Sequence, residues 1–116
     1  MFEAKRRFQR IRTDAEAKIS APIMGGVPDK ARVGELGLGG CLFHTEERIG
    51  VGRMFMLYLN LAGREVSAVV KILYDYVNED GMVCSGAEFL DVEDEDLAVL
   101  TGFIDKHVSG TPATLN

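Results

Sequence analysis

Apolar and polar residues alternate along most of this chain, and a period of two predicts strands. Ala15, Ala17 and Ile19 interleave with Glu16, Lys18 and Ser20, marking a first strand. Residues 21–29, with Pro22, Gly25, Gly26 and Pro28, read as a loop. Lys30 to Leu36 and Gly40 to Thr45 form a second and a third strand joined at glycines. From Met54 to Leu61, the residues Phe55, Leu57, Leu59 and Leu61 share one face, with Met54 and Met56 opposite as packing residues. Ala62-Gly63 then makes a tight hairpin into a fifth strand. Its expected inner face is Val66, Ala68, Val70, Ile72, Tyr74 and Tyr76. Asn78 to Gly81 is a turn whose asparagine and glycine suit unusual φ angles, and Met82 to Leu90 is a sixth strand.

From Val92 the period lengthens to that of a helix. Leu97, Leu100 and Ile104 fall on one face, with Phe103 beside them and Val108 one turn on. Asp91 is the expected N-cap, and Glu93, Asp94, Glu95 and Asp96 complement the positive helix start. Gly102 costs about 1 kcal/mol relative to alanine inside a helix, so packing is expected to hold it. The predicted fold is mainly β: a six-stranded antiparallel β-barrel over residues 15–90, a C-terminal helix over 92–108 and a tail over 109–116. Closing the barrel removes exposed strand edges.

At 116 residues and 47% apolar side chains, the chain 1–116 is expected to be a single domain with one core. No run approaches the roughly 18 apolar residues of a membrane span, so no membrane insertion is expected. The basic N-terminus lacks the apolar stretch of a signal peptide, which gives a cytoplasmic expectation. Cys41 and Cys84 have no metal-ligand spacing and read as reduced, semi-buried residues.

Charge sharpens this outline. The net charge is −5, yet five cations and one acid fall in residues 1–13, so that segment carries +4 and the rest −9. Such asymmetry points to one local anion site on an acidic body, and away from a general nucleic-acid binder. Nothing points to an enzyme. His44 lies on a strand, and His107 sits at the helix end, where it can meet the last carbonyls. No metal-ligand cluster or nucleophile motif is present. Gly37-Leu38-Gly39-Gly40 resembles a phosphate loop, but no helix pattern follows it.

Two stretches carry the chemistry. Arg6-Arg7-Phe8-Gln9-Arg10 sets two arginines four apart, and Glu35-Leu36-Gly37-Leu38-Gly39-Gly40 is a glycine-rich turn led by a carboxylate. Arginine forks hold phosphates bidentately and stack on bases, and a carboxylate accepts protons from a guanine edge. Together they suggest a pocket for a doubly phosphorylated purine ligand.

These residues, in this order along strands, glycine turn, hairpins and helix, resemble the PilZ domain family, the bacterial receptor module for cyclic di-GMP. That family carries RxxxR near its N-terminus and [D/N]xSxxG further along. Arg6 to Arg10 matches the first motif in full, and Gly86 to Asp91 with the acidic helix start looks like the family's last strand and helix. The resemblance covers roughly residues 5–106. It implies that Arg6 and Arg10 clamp phosphate and guanine, and that Arg7 either stacks on a base or stands in solvent. Arg12 is expected to point outward. The second motif departs from the pattern: Glu35 replaces Asp or Asn, Gly37 replaces Ser, and Gly40 is kept, with its backbone freedom for a turn near the ligand. Glu35 is one methylene longer and can instead pair with Arg32 or Arg10 in the free protein.

A lost neutral hydrogen bond costs about 0.5–1.5 kcal/mol, whereas a charged contact is worth about 1.5–3 kcal/mol. Weakened binding is therefore expected. The resemblance implies a cyclic di-GMP receptor without cofactor or metal, whose basic arm over residues 1–13, mobile without ligand, is ordered by it to meet a downstream protein. The altered motif implies the alternative, a PilZ-like adaptor that binds proteins and no nucleotide.

Overall fold

The computed structural model describes residues 10–20 and 29–109. Six strands run in chain order: β1 (Arg10–Ser20), β2 (Asp29–Gly37), β3 (Gly40–Thr45), β4 (Met54–Leu61), β5 (Arg64–Val77) and β6 (Val83–Val92). One helix, α1 (Asp94–Ser109), follows. The strands close into an antiparallel barrel in the order β1-β2-β3-β6-β5-β4, with β4 pairing back onto β1. The six-stranded barrel with a C-terminal helix is thus the fold that the alternation predicts.

Inward-facing apolar residues fill the interior. Val33, Leu36, Phe43, Leu57, Leu59, Val66, Val70 and Ile72 have no exposed surface. Burying each side chain of this size contributes about 1.5–3 kcal/mol, which is what closes the barrel. Leu100 and Ile104 on α1 are also buried, and the helix packs on β5, β1 and β4. The Asp96 carboxylate accepts a 3.1 Å hydrogen bond from the Ser67 backbone N–H, tying the helix start to β5.

Several boundaries differ from the expectation. β1 begins at Arg10, five residues before Ala15, because Arg10 to Arg12 pair with Gly37 to Glu35. The barrel therefore takes in the end of the expected basic arm, while residues 1–9 lie outside the described residues. β6 continues to Val92, so Asp91 is a strand residue opposite Val69 and not the N-cap. The carbonyl of Glu93 accepts the first helical bond, from Leu97 N–H at 2.8 Å. Gly102 is exposed and a Cβ there would meet nothing within 4 Å, so no packing holds it.

Turns follow the predicted chemistry with one change. Ala62 (φ 55°) and Gly63 (φ 88°) both adopt positive φ, the geometry of a two-residue hairpin that matches strand twist. In the next turn only Gly81 (φ 82°) has positive φ. Asn78 acts through its side chain instead, whose oxygen accepts from the N–H groups of Asp80 and Met82 at 2.9 and 3.0 Å.

Two irregularities decide which side chains face out. β2 carries an extra residue, Gly34, between the positions opposite Phe43 and Leu42. A one-residue slip reverses every later side chain. Val33 and Leu36 both point into the core, and Glu35 is turned to the surface. On β5 the extra residue is Leu73, between the partners of Ala87 and Gly86. Ile72 is buried, but Tyr74 and Tyr76 are about half exposed (48% and 47%). The sequence reading placed both tyrosines inside with Ile72; this bulge is what puts them outside.

Candidate functional site

Register brings the two motif stretches together. Arg10 is the cross-strand partner of Gly37, and Arg12 that of Glu35. From Arg10, Glu35 is the diagonal neighbour, a distance that a long side chain spans. The Arg10 Nη1 lies 3.5 Å from Glu35 Oε1. Both side chains are about one-third exposed, 32% and 37%, so the pair sits at the barrel surface.

Of the two partners expected for Glu35, Arg10 is the one used. Arg32 turns the other way: its Nη1 lies 3.1 Å from Asp14 Oδ1 and also donates to the Asp14 carbonyl at 3.1 Å. Its Nη2 is 3.9 Å from Glu16 on the same strand, β1. Arg12 is exposed, as expected. Arg6 and Arg7 lie outside the described residues, as does Phe8.

Gly40 is required for a reason other than the one anticipated. Its φ is not in the positive range. A Cβ would instead overlap the Ala87 carbonyl oxygen, so β3 approaches β6 too closely for any side chain. Next to it, the Gly39 carbonyl accepts from Phe89 N–H at 2.9 Å, which pins the β2–β3 turn to β6. Gly37 ends β2 and is buried.

Cys41, buried beneath the β2–β3 turn, has its thiol pushed up to about 12 by burial, with Arg10 pulling in the opposite direction. Both cysteines are free and buried, more completely than expected. Tyr76 has its phenol held above the usual value by its hydrogen bond and electrostatic interaction with Cys84, then by desolvation, with Tyr74 and Glu35 adding least. His107 Nδ1 lies 2.9 Å from the Phe103 carbonyl, one turn back along α1.

The position of Tyr74 is one that the sequence reading missed. Its ring lies over Gly86, where a Cβ would overlap the ring atoms. Tyr76 stacks beside it with 6.4 Å between centroids and 15° between planes. A signal was present: an isolated glycine inside a strand, Gly86, marks a bulge or a close approach.

A cavity of about 480 Å³ opens at the other end of the strands, among Lys18, Lys30, Arg32, His44 and Tyr58. Glu16, Glu46 and Glu65 also line it, so its charges are mixed, and neither Arg10 nor Glu35 borders it. An open surface holding a fixed guanidinium suits a phosphate better than this cleft does. Among the described residues no group of three His, Cys, Asp or Glu side chains is placed to hold a metal ion, and no helix is long and apolar enough to cross a membrane.

No curated protein matches the chain significantly. Solved structures do. The inhibitor of motility MotI/DgrA of Bacillus subtilis has a TM-score of 0.76 at 11% identity, over 92% of this chain and 53% of that one. The c-di-GMP-bound PilZ domain of YcgR from Escherichia coli has a TM-score of 0.73 at 14% identity, over 97% of this chain and 98% of that one. YcgR in complex with c-di-GMP has a TM-score of 0.75 at 14% identity, over 97% of this chain and 51% of that one. The chain thus spans about half the length of MotI and of the longer YcgR chain. At these identities the likeness is one of fold. The sequence itself matches the family model of the PilZ domain over residues 4–106, and the chain belongs to the PilZ domain family.

Proposed function

We propose that this domain is a receptor for cyclic di-GMP, held at the corner where Arg10 meets Glu35. The observation that carries the reading is the β1–β2 register, with Arg10 opposite Gly37 and its guanidinium 3.5 Å from Glu35. Two stretches far apart in sequence thereby form one surface with a cation and a carboxylate side by side. A ligand phosphate takes the Arg10 fork in place of Glu35, because a doubly charged cyclic dinucleotide offers bidentate oxygens to it. Glu35, released, accepts from the N–H groups of a guanine edge. Gly40, packed against the Ala87 carbonyl, keeps the turn that carries Glu35 and Gly37 close to β6. Arg6 and Arg7 add phosphate and base contacts, and engaging them fixes the N-terminal arm against the barrel as the signal to a downstream protein.

Calorimetric titration tests this. Wild type is expected to bind cyclic di-GMP saturably, with affinity that weakens in salt and is lost in Arg10→Ala. No heat at ligand concentrations around 100 µM would sink the reading. A second reading, a PilZ-like adaptor that binds a protein and no nucleotide, is favoured by the ion pair that already occupies Arg10 and by the missing hydroxyl at Gly37. A partner captured equally well by wild type and by Arg6→Ala/Arg10→Ala would support it.

A further inference from the structure

Closure removes edges only where a strand is paired on both sides, and β5 outruns its neighbour β4. Its ladder with β4 stops at Lys71, opposite Met54. The chain just before β4 reaches one residue further: Gly52 N–H donates to the Ile72 carbonyl, and Ile72 N–H to that of Arg53. From Tyr74 to Val77 the strand pairs with β6 alone among the described residues. Beyond it, Asn78 N–H donates to the Met82 carbonyl at 2.9 Å. Backbone groups in an antiparallel ladder alternate in direction, so Tyr74 and Tyr76 bond β6 while Asp75 and Val77 turn theirs to the open side. Open edges are commonly guarded by an inward-pointing charge. Asp75 is placed to be that guard, its side chain only 6% exposed, but an ion pair with Arg48 neutralises it. The flanks are apolar: Leu73 and Val77 are each 49% exposed, and Val51, next to Gly52, is 62% exposed. Such an edge accepts another strand through main-chain hydrogen bonds.

We propose that this edge pairs with the same edge of a second copy of the chain, giving a two-fold antiparallel dimer through residues 73–77. Charge decides the register. With Asp75 opposite itself, two carboxylates would face each other across the axis, which is unfavourable. With Tyr76 opposite itself, each Asp75 stands opposite Val77 of the second copy, and the outward backbone groups form about four hydrogen bonds. The exposed turn residues Glu79 and Asp80 then reach the loop that ends the edge on the second copy. Arg53 stands in that loop, exposed and in no ion pair among the described residues. Acid therefore meets cation on both sides of the axis, as a self-complementary surface requires. The pairing uses each edge once, so assembly stops at the dimer.

Sedimentation equilibrium on the full chain, without ligand, tests it. The ladder is short, so a Kd on the order of 100 µM is expected, with the mass rising from that of one chain toward that of two. Val77→Pro removes only an outward N–H, at the kind of position where a strand accepts proline. Symmetry doubles the loss, and dimerisation is expected to weaken roughly tenfold. Arg53→Glu should weaken it as well, and Arg53→Glu combined with Asp80→Arg should restore it. These charge changes leave the strand itself untouched, so they decide the matter even if Val77→Pro fails to fold. A wild type that stays a single chain at about 1 mM overturns the proposal and leaves the edge to a strand of another protein. A dimer undiminished in folded Val77→Pro, or one that Arg53→Glu leaves unchanged, overturns it in favour of another surface.

Discussion

Arg10 acts in two directions at once, outward on Glu35 and inward on Cys41. The outward ion pair is one-third exposed on each side, and such pairs contribute about 0–1 kcal/mol to stability. Its worth is therefore positional: it holds the guanidinium at the surface, at little cost to whatever replaces Glu35. Inward, the thiol of Cys41 is raised from 9.0 to about 12 by burial, against the opposing pull of Arg10. A folded-state value above the unfolded one gives stability that is complete below pH 9 and is lost as pH rises from 9 toward 12, since the unfolded chain releases a proton that the folded one keeps. Urea unfolding across that window should show a decline on the order of 1 kcal/mol per pH unit from this thiol. In Cys41→Ala the slope should be shallower by about one proton, whatever the mutation does to stability at pH 7. Equal slopes in the two proteins would mean that the thiol titrates normally in the folded state.

At the level of strands and helix, two glycines should respond to the same substitution in opposite ways. At Gly40 a methyl group meets the rigid Ala87 carbonyl, so β3 and β6 must part where the turn is pinned by Phe89 N–H. Gly40→Ala is expected to cost about 1–3 kcal/mol, the range for overpacking, and to loosen the turn beside Glu35. At Gly102 the methyl group meets nothing, and Gly102→Ala is expected to gain about 0.5–1 kcal/mol from helix propensity alone. Thermal unfolding of the two variants reads both signs. From the chain alone, the strands, the β4–β5 and β5–β6 turns and the Leu100 and Ile104 face of α1 were legible, because each rests on a local period or on local turn chemistry, whereas Leu97, expected on that face, is exposed. The two face reversals were not. Alternation counts residues and cannot register that Gly34 and Leu73 are skipped by the neighbouring strand. Hence the stretch Val33-Gly34-Glu35 hid the outward turn of Glu35, and the run from Val66 to Tyr76 appeared to bury two tyrosines that the bulge exposes. The Arg10–Glu35 pairing depended on the same register. Both partners were identifiable as residue types, but the choice between Arg10 and Arg32 came from which strand β2 lies beside.

For the whole molecule, the charge distribution sets how an anionic ligand meets an acidic body. The net charge of −5 repels a dianion at long range, while Arg10 and Arg12 stand at the corner itself. At 0.1 M ionic strength the screening length is about 10 Å, so a ligand at that corner responds to the nearby cations far more than to the distant acids. Binding to the folded state then stabilises the entire barrel by mass action, since β1 and β2 each pair on both sides within a closed sheet. With free cyclic di-GMP at ten times the Kd, the gain is about 1.4 kcal/mol, which for a domain of this size raises the unfolding midpoint by roughly 4–8 °C. At a fixed ligand concentration the rise should shrink as salt increases, because the Arg–phosphate contacts weaken and the Kd grows, and it should vanish in Arg10→Ala. A midpoint that moves equally in wild type and Arg10→Ala would place the ligand elsewhere on the barrel. A midpoint that does not move at all would leave the Arg10–Glu35 pair as a feature of the free protein and favour the adaptor reading.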